Sequence, residues 1–293
     1  MHVFVTGGTG LIGSAVVAEL LGNGHTVLAL ARSDASALAA KAAGAEPLRG
    51  GLADLDTLRA GAARSDGVIH LAFANDFSSA DALVKAVDEE TAALAALGEE
   101  LAGSERPFVT ASGTPHAPGR ASVESDPVST DGPVGGRGRA VTATLGLASR
   151  GVRSAAVRLP RTVHHRGAGG FAGLLAGIAR GSGVSGYPGD GEQRWPAVHA
   201  LDAAVLFRLA LERAPAGTAW HAVDDEGDRV RDIALVIGRR LGLPVRSVPA
   251  ETYGPLASIF SIDQPSSSAH TREALGWRPK HPRLLEDLEN IQP

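Results

Sequence analysis

The chain contains no cysteine, which excludes disulfides, zinc–thiolate sites and a cysteine nucleophile. A thiol-free sequence fits a reducing compartment, so a cytoplasmic protein is expected. No run of about 18 apolar residues is present to cross a bilayer. The sequence opens on a strand pattern rather than on a basic and then apolar leader, so no targeting segment is expected. Net charge is −4, with no long basic block, so neither nucleic acid nor an anionic membrane is the expected partner. Lysine occurs only at 41, 85 and 280, and tyrosine only at 187 and 253. That scarcity limits acid–base chemistry, as argued below.

What is present is enough for a large core. Hydrophobic residues make up 44% of 293, consistent with one large or two closely joined domains. Short β-branched runs at 1–6, 26–31, 46–48, 67–72, 108–111 and 153–158 read as strands. Helical patterns fall between them at 11–21, 35–43, 55–63, 81–101 and 139–149. This alternation predicts an α/β fold built on a doubly wound parallel sheet, a Rossmann domain over 1–160. Residues 161–293 read as a smaller substrate-side α/β region partly interleaved with the sheet. Helices are expected there near 171–179, 200–214 and 231–241, with strands near 184–187, 219–222 and 245–248. Residues 112–137 are rich in Gly, Pro, Ser and Asp. A loop that long predicts a lid or mobile segment.

The first strand runs into Thr6-Gly7-Gly8-Thr9-Gly10-Leu11-Ile12-Gly13. Gly7 permits a tight turn, Gly10 lets the backbone approach a diphosphate, and Gly13 lets helix pack on strand. The following helix aims its free N–H groups at the phosphates. Strand before, helix after and a second strand soon following make this a dinucleotide-binding turn. At the end of the second strand, an NAD site usually carries an acidic residue for the ribose 2′-hydroxyl. Here Ala31 and Arg32 stand in that region. A guanidinium at Arg32, with the Ser33 hydroxyl beside it, predicts a 2′-phosphate and hence NADP(H).

The TGGTGLIG turn, His70-Leu71-Ala72 and Arg158-Leu159-Pro160 together resemble the short-chain dehydrogenase/reductase superfamily. Trp195-Pro196-Ala197-Val198-His199-Ala200-Leu201-Asp202 and Leu275-Gly276-Trp277-Arg278-Pro279 resemble elements of its extended or atypical branch, the NAD-dependent epimerase/dehydratase group. The resemblance runs through nearly all of the chain. It implies that Gly7, Gly10, Leu11 and Ile12 lie along the diphosphate, and that Gly51 and Leu52 lie beside adenine. Family members usually have an aspartate where Gly51 stands. Leu71, Ala72 and Phe73 would flank the ribose, and Pro160 and Val163 would approach the nicotinamide. A homodimer is plausible for such a protein.

The same resemblance implies a serine or threonine that polarises a carbonyl, a tyrosine acid/base, and a lysine four residues after it. Ser112 fits the first role, with Thr114 as its neighbour. The helix after the long loop reads Arg137-Gly138-Arg139-Ala140-Val141-Thr142 and has neither tyrosine nor lysine. Another side chain or water then supplies the proton, or the substrate needs none, as an iminium would not, or the cofactor is bound without turnover. His199 and His164 are the candidate acids, each also readable as a structural histidine. His116, Glu124 and Asp126 read as solvated loop polarity. Arg139, near the missing tyrosine, can orient an anion or water. Tyr187 and Trp195 read either as substrate-pocket walls or as core. The leading expectation is an NADP(H)-dependent reductase of a small, fairly apolar carbonyl or imine substrate. The alternatives are a non-catalytic NADP(H)-binding redox sensor and, more weakly, a nucleotide-sugar epimerase or dehydratase.

Overall fold

Strand–helix alternation produces a seven-stranded, all-parallel sheet. Its first half comprises β1 (His2–Thr6), α1 (Leu11–Gly22), β2 (Thr26–Ala31), α2 (Asp34–Ala42), β3 (Glu46–Arg49), α3 (Leu55–Ala63), β4 (Gly67–His70) and α4 (Ala80–Leu101). Then come β5 (Pro107–Gly113), α5 (Gly135–Gly146), β6 (Arg153–Leu159), β7 (Thr162–His164), α6 (Gly170–Ser182), β8 (Ser185–Pro188), β9 (Arg194–His199), α7 (Ala200–Arg213) and β10 (Thr218–His221). β11 (Asp225–Arg229), α8 (Val230–Leu241) and β12 (Val245–Val248) follow. The computed structural model describes residues 1–74, 79–132 and 135–292. Strand order is β3-β2-β1-β4-β5-β6-β10. The order reverses between β1 and β4, and a ligand crevice opens at such a point beyond the strands' carboxyl ends.

The central strands are buried on both faces, as their continuous apolar runs require. Val3, Val5 and Ile69 pack with Val16, Leu20 and Phe207 on the side of α1 and α7. Phe4, Leu28, Val68 and Phe108 face the other way, toward Leu58, Leu94 and Leu97 of α3 and α4. Residues beyond 160 supply two parts of this layer, α7 and the edge strand β10. The remaining C-terminal residues form a three-stranded sheet, β11-β9-β7, and a pair, β12-β8, beneath α6 and α8.

The expected lid is different from the sequence reading. β5 runs on to Gly113 and α5 begins at Gly135, so the connection is shorter than 112–137. Its described part is pinned. Ser122 Oγ bonds Ser266 Oγ at 2.8 Å in the interior. The Glu124 carboxylate accepts from Thr271 N at 2.9 Å and Thr271 Oγ1 at 2.6 Å. Arg158 of β6 donates to the carbonyls of Glu124 and Asp126 at 3.0 and 2.9 Å. Arg120 grips the Asp126 carboxylate with two bonds. Glu124 is therefore a buried group whose Oε1 takes two bonds from Thr271, rather than solvated polarity. Buried polar atoms that find such partners hold a loop in place.

α4 and α5 are joined by Glu90 and Arg137, which share bonds of 2.6 and 2.8 Å with Glu90 almost wholly buried. Glu90→Ala leaves that guanidinium without its counter-charge. It should lower the unfolding free energy by about 3 kcal/mol, read from the urea midpoint.

Candidate cofactor and active site

The glycine turn brings three backbones to the same point. Gly7 has φ +72°, and a Cβ there would lie 2.8 Å from Ala72 N and 2.9 Å from Leu71 C. A Cβ on Gly13 would lie 2.0 Å from Gly7 O. Only glycine permits both approaches. Gly10 caps α1 without a side-chain bond, and the first turn has no acidic residue. The N–H groups at Leu11, Ile12 and Gly13 thus open the helix toward an anion. Thr6, which sequence reasoning passed over, ties the turn to β4. Its Oγ1 accepts from Leu71 N and Ala72 N, both at 3.3 Å, and bonds His70 Nδ1 at 3.0 Å. Burial first, then the Arg137 charge, pushes His70 down to about 4, so it is neutral.

Arg32 is exposed just past β2 and forms no ion pair among the described residues. Ser33 caps α2: its Oγ accepts from Ser36 N at 3.2 Å and donates to Ser36 Oγ at 3.1 Å. Its hydroxyl is therefore already engaged. Arg49, a second cation that sequence spacing did not single out, is brought in by register, since Ala31 pairs with Arg49. It holds Asp34 at 3.1 Å, on the surface. Gly51 has open space where a Cβ would stand, so packing does not demand glycine there. Leu52 rests partly buried on the α3–α4 core.

At the sheet's carboxyl edge, Ser112 is half-buried and pairs in register with Arg158. Thr114 is buried, donating its N–H to Leu159 O at 3.0 Å and accepting from Gln264 Nε2 at its carbonyl. Pro160 and Val163 are buried. A Cβ on Gly169 would lie 2.4 Å from Val163 O and 2.6 Å from Leu11 Cδ2, so β7 abuts the start of α1. Phe73 carries the Arg137 guanidinium 4.0 Å above its ring. The glycine turn, Phe73, Ser112 and Val163 thus stand on elements that end at one edge.

Of the two readings of Trp195, wall or core, the structure gives the core. Trp195 is fully buried against Phe171 and Phe260, at centroid distances of 5.8 and 5.1 Å. Tyr187 is half-buried in the same cluster, over Gly191. β9 is covered by α6 and α8, which puts its tryptophan inside.

His199 and His164 belong to a cluster. His199 caps α7, its Nδ1 accepting from Leu201 N at 3.3 Å, while Nε2 bonds His165 Nδ1 at 3.0 Å. It stacks on His281 at 4.8 Å. His164 bonds Asp287 at 3.0 Å, and its Nε2 has no partner among the described residues. Burial, then the neighbouring histidines His164, His281 and His165, pushes His199 down to about 4. Burial also lowers His164, against the pull of Asp287. Both are neutral at neutral pH. His199, Asp202 and His281 bring possible metal-ligand atoms within 4.8 Å. However, Asp202 already accepts from Lys280 N, His281 N and His281 Nδ1, and both His199 nitrogens are bonded. These bonds tie the C-terminal segment to α7.

The face of α5 is closed by backbone. A Cβ on Gly135 would lie 2.3 Å from Thr130 O, and one on Gly138 would lie 2.0 Å from Ser129 O. Arg139 is exposed and donates to that same Thr130 carbonyl. One of its donors is thus engaged by the loop.

Residues 3–137 match the NAD dependent epimerase/dehydratase family. An uncharacterized protein of Schizosaccharomyces pombe is 44% identical over 98% of both chains. The chain belongs to the NAD dependent epimerase/dehydratase family. An uncharacterized protein of Saccharomyces cerevisiae is 42% identical, again over 98% of both. The fold is shared with a UDP-glucose-4-epimerase from Stenotrophomonas maltophila with bound NAD. The TM-score is 0.79 at 21% identity, covering 99% of this chain and 96% of that one. The family depends on a nicotinamide dinucleotide, and the glycine cradle, which a Cβ would fill, fits its diphosphate.

Gly13→Ala should weaken binding of a reduced nicotinamide dinucleotide at least about tenfold, read by the cofactor's fluorescence, because its Cβ overlaps Gly7 O. Unfolded histidines take up protons near 6.5, whereas native His70 and His199 do so only near 4. Acid therefore favours the unfolded state, and stability should fall as pH drops from about 6.5 toward 4. His199→Asn should flatten that slope in urea titrations at stepped pH.

Proposed function

We propose that the protein is an NADP(H)-dependent oxidoreductase that reduces a small, fairly apolar carbonyl or imine compound without the tyrosine–lysine pair of its superfamily. The observation that carries this reading is the open glycine cradle with Arg32 exposed at the neighbouring strand end. The nearest carboxylate, Asp34, is held by Arg49, which weakens its claim on a ribose hydroxyl. A 2′-phosphate would find one free guanidinium and a second close by.

When bound, the reduced nicotinamide supplies a hydride. The chain's own residues bind and orient. α1 presents N–H groups to the diphosphate, and Thr6 fixes the exit of β4 against the turn. Ser112, at the carboxyl end of β5, donates its hydroxyl proton to a carbonyl oxygen, or accepts from the N–H of an iminium. Reduction of a ketone leaves an alkoxide that needs a proton, a step in which a general acid contributes about 10²–10⁴-fold. α5 offers no acid, and His164 and His199 are neutral. An iminium already carries its positive charge and requires no donor. That favours the imine arm, or a ketone protonated by water.

The backbone-filled face of α5 also favours a second reading, an NADP(H)-binding redox sensor. The two part in one experiment. Purified protein with NADPH and a panel of ketones and cyclic imines should show substrate-dependent loss of the reduced-nicotinamide absorbance, fastest with imines. No loss across the panel, with NADPH still bound, would select the sensor. Arg32→Ala should raise the Kd for NADPH about 10- to 100-fold and leave NADH unchanged. Equal loss for both cofactors would remove the 2′-phosphate argument.

A further inference from the structure

The dinucleotide crevice has two sides, because it opens where the strand order reverses between β1 and β4. Arg32, past the end of β2, stands on one side, where the adenosine half of a dinucleotide lies in such folds. Phe73, which follows β4, stands on the other. It is next in sequence to Ala72, whose N would lie 2.8 Å from a Cβ on Gly7. β4 in turn lies between β1 and β5, the strand that carries Ser112. A ligand running from the glycine cradle toward Ser112 therefore passes Phe73.

A cation covers that place. The Arg137 guanidinium, from the first turn of α5, lies 4.0 Å above the Phe73 ring. Its charge is felt at His70, the last residue of β4, where burial first and then Arg137 push the imidazole down to about 4. Glu90 takes Nε and Nη2 side-on at 2.6 and 2.8 Å, leaving Nη1 without a bond among the described residues. Nη1 is not sealed in. Arg158, Arg161 and Arg240 each bury an unpartnered Nε, whereas no nitrogen of Arg137 is buried unpartnered, and 29% of its side chain is exposed. What Nη1 can hold follows from charge. The buried Glu90 carboxylate already neutralises this guanidinium, so a second anion gains little there and is better served by Arg32. A neutral oxygen suits it, and two N–H groups on one nitrogen match the two neighbouring hydroxyls of a ribose. A guanidinium keeps its proton at neutral pH, so it binds a sugar without entering proton transfer.

We infer that Arg137 Nη1 donates to the hydroxyls of the cofactor's nicotinamide-side ribose, with Glu90 as the positioning residue that sets the plane of the guanidinium. The assignment needs only a nicotinamide dinucleotide. It depends neither on the 2′-phosphate nor on turnover. Held at Phe73, the ribose keeps the nicotinamide on the β5 side of the crevice, where Ser112 stands.

Titration calorimetry on the full chain tests this with three probes. They are NADPH or NADH, whichever binds more tightly, the same cofactor lacking the 2′-hydroxyl of its nicotinamide-side ribose, and ADP. The unaltered protein should bind the deoxy cofactor about tenfold more weakly than the intact one. Arg137→Gln should weaken the intact cofactor about 10- to 100-fold, change ADP by less than about twofold, and no longer tell the two cofactors apart. If Arg137→Gln does not fold with Glu90 left unpaired, the double variant Glu90→Gln, Arg137→Gln replaces the ion pair by two amides and is read in the same way. Intact cofactor bound by a folded variant as tightly as by the unaltered protein overturns the inference. So does a loss for ADP equal to the loss for the cofactor, or a preference for the hydroxylated ribose that survives in the variant. If no ketone or imine consumes NADPH while the expected losses hold, the reductase reading fails and the ribose contact stands.

Discussion

The close approach of three backbones at the first turn is the constraint on which the rest of the molecule depends. Gly7 lets β1 turn against the exit of β4, and Gly13 lets α1 descend onto the carbonyl of Gly7. Once α1 is set at that depth, α7 packs beside it through Phe207 and its neighbours. α7 in turn begins at His199, so the histidine cluster and the chain that follows Pro160 are positioned from the same origin. Gly169, squeezed between Val163 O and the side chain of Leu11, closes the circuit. A methyl group at Gly7 or Gly13 would therefore disturb the anion-binding end of α1 as well as the edge where a substrate would lie.

Chemistry at that edge is defined as much by what has been closed as by what is open. α5 has small residues on one face, and the loop backbone at 129–130 fills the space beside them. The loop cannot readily withdraw, because Ser122, Glu124 and Asp126 bind it to β6 and to the 266–271 segment. Burial holds His199 and His164 below the usual imidazole range, which costs both of them their proton at neutral pH. Charge is retained instead on arginines: Arg32 outside β2, Arg137 over Phe73, and Arg161 against Phe171 and Trp195.

Much of this was legible in the residues. Alternating strand and helix patterns, with glycines at 7, 10 and 13, define a parallel sheet and its cofactor turn. These signals are local: they report burial on both faces of a strand and the need for positive φ or close approach. Even the strand at 245–248 was readable from its β-branched ends, and it is found as β12 (Val245–Val248). The lack of tyrosine and lysine in α5 is likewise a fact of sequence. So is the absence of an acidic residue at 31–32.

Tertiary structure decided what spacing cannot carry. Trp195 reads equally as wall or core until α6 and α8 are laid over β9 and seal it in. Glu124 reads as loop polarity until Thr271, far along the chain, supplies its donors. Arg49 joins Arg32 only through the pairing of β2 with β3. Arg137 finds its counter-charge, Glu90, only when α5 packs on α4. In each case the deciding partner lies distant in sequence. A residue's type fixes what it can donate or accept; the fold alone determines whether anything is there to meet it.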